Sequence, residues 1–138
     1  MPKEYRLGTA DVKRSGSDAT VVTWGAMVPR ALEAADELAA EGTQVEVVDL
    51  LSLRPWDRET VLASVERTNR VVVAHQAHRH GGFGAEVVAT IAERAFDSLD
   101  APVSRVGSLD VPVPFSPPLE EYVLPNADRI ADAVRGLG

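Results

Sequence analysis

The chain has 138 residues, 45% of them hydrophobic and 25% charged, which suits one globular domain with a core of its own and excludes a disordered chain. It has no cysteine, so disulfide frameworks, thiolate catalysis and cysteine-ligated zinc or iron–sulfur sites are excluded. A net charge of −7 with no basic stripe argues against nucleic acid and for a basic protein partner, and no segment is apolar for long enough to span a membrane.

The opening, MPKEYRLG, lacks the apolar run of a signal peptide, so the expected location is the cytoplasm. Residues 1–18 are polar, with SGSD at 15–18, and read as a linker or arm ending in a turn; the domain proper is placed over 19–138. ATVVTWG (19–25) is a short β-branched run closed by glycine, a buried strand. AMVPRALEAADELAAEG repeats Val28, Leu32, Ala35 and Leu38 or Ala39 at helical spacing, with Pro29 in the first turn and Gly42 just past the end. TQVEVVDLL (43–51) is a second strand. In RPWDRETVLASVERT, Pro55 breaks the chain, Asp57 caps a helix, and Val61, Leu62 and Val65 form its apolar face.

VVVAH (71–75) is a third strand, apolar throughout as in strands buried on both faces, with His75 as its last residue. GFGAEVVATIAERAFDSL is a helix with Val87, Val88, Ile91, Ala95 and Phe96 on one side, and PVSRVG (102–107) is a fourth strand. LDVPVPFSPPLEEYVLP is proline-rich and reads as a long irregular loop. Asn126 caps the last helix, whose core face is Ala127, Ile130, Val134 and Leu137. Strands alternating with helices imply an α/β fold: an open, mostly parallel sheet with helices on both faces and right-handed crossovers.

All three histidines fall in HQAHRHGGFGAE (75–86), at the carboxyl edge of the sheet, where open α/β folds bind ligands. Three chemistries compete there. A metal reading of His75, His78 and His80 lacks a fourth ligand, since Glu86 lies inside the following helix. An anion-binding turn would use His75, Gly82, Phe83 and Gly84 at a helix start; the dinucleotide fingerprint fails because Val87 stands where glycine or alanine is required. Histidine catalysis lacks a triad, since Ser52, Ser104 and Ser108 have no nucleophile-elbow context. The structural alternatives are a solvated loop and a tight strand-to-helix turn made by Gly81, Gly82 and Gly84. Asp49, ending the second strand, is a ligand candidate or a cap of the next turn. Trp24 and Trp56 could stack on a ligand or pack in core or interface, and Trp56, after a proline in a loop, is assigned to an interface.

Five blocks together resemble a known family: RLGTADVKRSGSD, then SDATVVTWGAMVPRALEAADELAAEGTQVEVVDLLSLRPWD, HQAHRHGGFGAEVVATIAERAF, LDAPVSRVGSLDVPVPF and YVLPNADRIADAV. They are similar to the C-terminal domain of transketolase-like enzymes, and in particular of the beta subunit of thiamine-dependent 2-oxo acid dehydrogenases. The resemblance implies a three-layer αβα sandwich on a mixed, mostly parallel five-stranded sheet, hence an edge strand beyond the four read above, in or near the front arm. It also implies that HQAHRHGGFGAE is a strand-to-helix turn and not the thiamine diphosphate site. In that family thiamine diphosphate and magnesium sit between two other domains, and this sequence has no G-D-G followed by asparagine. No catalytic, cofactor-binding or metal residue is therefore carried over. Two departures stand out: the family's His-Glu-Ala is His75-Gln76-Ala77 here, and its Asp-Leu-Arg-Thr is Asp49-Leu50-Leu51-Ser52. Losing a glutamate and an arginine together implies an absent salt bridge or a changed subunit contact.

The resemblance further implies a parent enzyme that oxidatively decarboxylates pyruvate or a branched-chain 2-oxo acid and passes the acyl group to lipoyl. The expected role of this domain is assembly with the alpha subunit and a second beta subunit, and docking of the basic subunit-binding domain of the acyltransferase core. Alone it is expected to be inactive and to expose apolar surface where a neighbouring domain packs. Candidate contacts are Trp56, Asp110 and Phe115, with the tail residues Arg135, Leu137 and Gly138. The alternatives are a free-standing module holding a small anion at Gly82–Gly84 and a scaffold acting through subunit contacts alone.

Overall fold

Valine dominates the strands, and it sorts by alternation into two cores. In a computed structural model describing residues 4–138, β1 (Asp11–Arg14), β2 (Ala19–Thr23) and α1 (Met27–Ala40) lead to β3 (Val45–Asp49) and α2 (Arg58–Thr68). Then come β4 (Val71–His78), α3 (Gly84–Arg94), β5 (Ser104–Ser108), α4 (Pro117–Val123) and α5 (Ala127–Arg135). The sheet order is β1-β3-β2-β4-β5, parallel throughout except for β1, which runs antiparallel to β3. Val21, Val47 and Val72 face α1 and α5, meeting Ala31, Leu38 and Ile130. Val22, Val48 and Val73 face α2 and α3, meeting Val61, Val65 and Ile91. That is the expected three-layer αβα sandwich on a mixed five-stranded sheet.

The stretch read as an arm contains the edge strand. Its SGSD turn is pinned to the start of β3: the Gln44 N–H donates to Asp18 Oδ2 at 2.7 Å, and a side chain on Gly16 would overlap the Val45 carbonyl. The arm is also tied to α2, because Asp57 caps that helix and accepts from the Ala10 N–H at 2.9 Å.

Other boundaries differ from the sequence reading: β3 and β5 are Val45–Asp49 and Ser104–Ser108 where 43–51 and 102–107 were expected. β4 runs on to His78, which pairs with Ser108, so His75 is interior to the strand. The proline-rich loop contains α4, whose two leading prolines sit where a helix has no use for their missing N–H groups. Phe96 lies beyond the end of α3 and is 71% exposed, not on its core face. α1 turns Ala31, Ala34 and Leu38 inward and leaves Leu32 partly buried, since small alanines let the helix lie close to the sheet.

One polar chain runs between β2, β3 and α2. Thr20 Oγ1 lies 2.7 Å from both Ser64 Oγ and Thr68 Oγ1, and Ser64 Oγ donates to Glu46 Oε2 at 2.5 Å. Arg67 closes the chain from the surface, 2.7 Å from the same oxygen. Removing the Ser64 hydroxyl leaves two buried groups each a partner short. Ser64→Ala is expected to cost about 1–2 kcal/mol in urea unfolding, against near zero for the exposed neighbour Ala63→Ser.

Candidate interaction surface at the carboxyl edge of the sheet

The parallel strands end on one side of the molecule, and the histidines, Asp49, both tryptophans, Asp110 and Phe115 gather there in different environments, while the tail residues lie elsewhere. His75 is fully buried. Its Nδ1–H donates to the Ala77 carbonyl at 3.0 Å, and its ring stacks on Trp24 with centroids 5.4 Å apart. Phe83 meets Trp24 edge-on at 5.8 Å and Trp56 at 6.1 Å, so an aromatic row runs from β2 to the start of α2. Trp56 is half-buried against this row, with the Arg58 guanidinium over its ring.

The glycine turn is the seat of that imidazole. A Cβ on Gly82 would stand 2.8 Å from His75 Cε1, and one on Gly84 would overlap Cδ2 and Nε2. Two N–H groups in the first turn of α3 are also engaged, Ala85 to the Gly82 carbonyl at 3.0 Å and Glu86 to the Phe83 carbonyl at 2.9 Å.

Burial holds the His75 pKa below its ordinary 6.5, outweighing the Ala77 hydrogen bond, and the Arg105 charge acts in the same direction. The unfolded chain therefore binds this proton more readily than the folded one. The stabilisation is complete above the unfolded pKa and is lost as pH falls through the lower folded value. Unfolding free energy is expected to drop as pH falls below the ordinary histidine value of 6.5 toward the lower folded one, with a slope that His75→Gln reduces; an unchanged slope would show that other groups carry it.

The other two histidines hold the segment that follows β5. His78 Nε2 is 3.1 Å from the Val111 carbonyl, and the His80 N–H donates to Asp110 Oδ1 at 3.2 Å. Among the described residues no group of three His, Cys, Asp or Glu is placed to hold a metal. Asp49 is spent on the next turn, accepting from the Leu51 N–H at 3.0 Å, with Leu51 at a positive φ of 60°. Ser52 donates to the Pro55 carbonyl. Gln76 lines a cleft of about 510 Å³ with Arg30, Glu120 and Asn126.

The segment so held is apolar and open. Val111, Val113, Leu119 and Tyr122 are each about half or more exposed, and Phe115 is completely so. Sequence reasoning singled out Phe115 but not its neighbours; the signal was the alternation VPVPF, read only as proline-rich. The tail differs. Arg135 pairs with Glu37, Glu41 and Asp132, strapping α5 to α1, and Leu137 belongs to the core. Gly138 is exposed and lies against the Arg70 guanidinium.

Residues 8–130 match the family described as "Transketolase, C-terminal domain". The chain belongs to this family. The transketolase C-terminal domain seen here is 47% identical over 135 residues to "Pyruvate dehydrogenase E1 component subunit beta" of Bacillus subtilis, covering 96% of this chain and 41% of that protein. It is 46% identical over 129 residues to "2-oxoisovalerate dehydrogenase subunit beta 2, mitochondrial" of Arabidopsis thaliana, covering 94% and 36%. It superposes with a TM-score of 0.85 and 36% identity on "Split gene transketolase, inactive beta4 tetramer", covering 98% of this chain and 43% of that one. The chain thus spans about two fifths of the length of the curated relatives it matches. No helix among the described residues is long and apolar enough to cross a membrane.

Proposed function

We propose that this chain is the C-terminal assembly and docking domain of the beta subunit of a cytoplasmic, thiamine-dependent 2-oxo acid dehydrogenase acting on pyruvate or a branched-chain 2-oxo acid. The observation that carries the reading is the apolar run from Val111 to Tyr122, held out at the carboxyl edge by the histidine turn. A patch of this kind on an acidic domain marks a protein contact. Both curated relatives are named as beta subunits of such dehydrogenases.

The described residues do not fit thiamine diphosphate and magnesium. The carboxylate at the strand ends, Asp49, is committed to its own turn, and the space left by the glycines is filled by His75. The cofactor chemistry is accordingly assigned to the other domains, and this one contributes contacts: to the catalytic half of its own beta subunit, to a second beta subunit and, through them, to the alpha subunit.

The test is a chimera in which this chain replaces the matching domain of the Bacillus subtilis beta subunit, co-expressed with its alpha subunit. An alpha–beta assembly of native size supports the reading, and a folded chimera that never pairs overturns it. Docking is tested by calorimetric titration of the assembled chimera with the basic subunit-binding domain of the acyltransferase. Saturable binding weakened by salt is expected; absence of binding at low salt removes docking and leaves assembly.

A further inference from the structure

β5 is the edge strand paired within the sheet by β4 alone, and a groove of about 540 Å³ lies between it and α5. Arg129 and Ala133 stand four residues apart on α5 and line one wall, and Arg79 and Arg105 close the groove from the sheet. In a chain of net charge −7, none of these three arginines has a carboxylate partner among the described residues.

The carboxylates beside them are engaged elsewhere. Asp132 pairs with Arg135 at 2.8 Å, and Asp110 accepts the His80 N–H. Arg105 gives one N–H to the Arg79 carbonyl at 2.7 Å, and Arg129 gives one to the Tyr122 carbonyl. These bonds fix the Arg105 and Arg129 guanidinium groups and leave most of their five donors free. At the floor lies Ser108, 1% exposed, whose hydroxyl has no partner. It shares a strand face with Val106, which packs beneath α5, so its side chain is directed to the groove side. A buried hydroxyl without a partner, beside three unpaired arginines, is the donor set of an oxyanion site.

We propose that this groove binds the dianionic phosphate of a phosphomonoester, with guanidinium N–H groups of Arg79, Arg105 and Arg129 on its oxygens and the Ser108 hydroxyl as a further donor. Phosphate fits better than carboxylate because three cations line the groove and a dianion offsets more of their charge than a monoanion. It comes either on a free small molecule or on a phosphorylated side chain of a segment lying along the open strand edge. The site is separate from the apolar run, and its failure would leave the assembly reading intact.

The experiment is a nuclear magnetic resonance titration of the isotope-labelled chain at fixed ionic strength, first with inorganic phosphate, then with a phosphoserine peptide and its unphosphorylated form. Saturable shifts confined to residues 79–80, 105–110 and 129–133 are expected. Arg105→Gln is expected to weaken binding about tenfold, and Ser108→Ala to weaken it by a smaller factor with the spectrum otherwise unchanged. A phosphopeptide bound about tenfold or more tighter than phosphate assigns the anion to a peptide, and equal affinity assigns it to a small molecule. Non-saturating shifts spread over the surface, or shifts unaltered in Arg105→Gln, overturn the proposal.

Discussion

Gly84→Ala is expected to lower the unfolding free energy by about 3 kcal/mol, although the same change at an ordinary helical position stabilises by about 1 kcal/mol. The sign is decided by the His75 ring, whose Cδ2 and Nε2 occupy the place a Cβ would take. The imidazole cannot step aside, being stacked on Trp24 and hydrogen-bonded to the Ala77 carbonyl within a fully buried site. Either α3 moves off the sheet or the aromatic row opens. The check is a double-mutant cycle with His75→Ala, read by urea unfolding. The methyl group should cost far less once the ring is gone, so the two changes should be strongly non-additive. Additive costs would show that Gly84 is needed for its backbone and not for the room it leaves.

That pairing also shows where the sequence was legible and where it was not. The runs ATVVT and VVVAH announce buried strands because a sheet covered on both faces has no polar side, and helical spacing places α1, α3 and α5. The strand DVKR carries no such mark. An edge strand has one neighbour and alternates weakly, so only the likeness to a known family pointed to it. The end of β4 was hidden for a different reason. His75 looks like the polar end of an apolar run, yet its pairing continues because β5 offers Ser108 to His78, a fact of the partner strand.

The histidine cluster misled by proximity in sequence. Three imidazoles within six residues suggest one site, but one is a core side chain, one bonds a carbonyl, and one contributes only its backbone to the next segment. Burial, which separates them, comes from Trp24 and the glycine turn packing over β4. Composition likewise could not say that VPVPF is open to solvent, because prolines are equally at home in buried and exposed loops.

Phe115→Ser is expected to leave the unfolding free energy of this chain within about 0.5 kcal/mol and to weaken chimera assembly about 100-fold. The first expectation follows from exposure: the ring is 102% accessible and takes no part in either core, so its removal leaves no cavity. The second follows from the same number read the other way. An aromatic side chain held fully in water gains more from burial at a contact than one already half-covered, and buried aromatic anchors carry most of an interface's energy. The segment that bears it is anchored through the Val111 carbonyl and the Asp110 carboxylate, so its backbone is positioned before any partner arrives. Sedimentation of the wild-type and substituted chimeras with the alpha subunit separates the two terms. Loss of assembly with an unchanged melting curve places Phe115 in the contact. Retained assembly would move the contact elsewhere, and the half-buried Trp56 row would be the next surface to substitute.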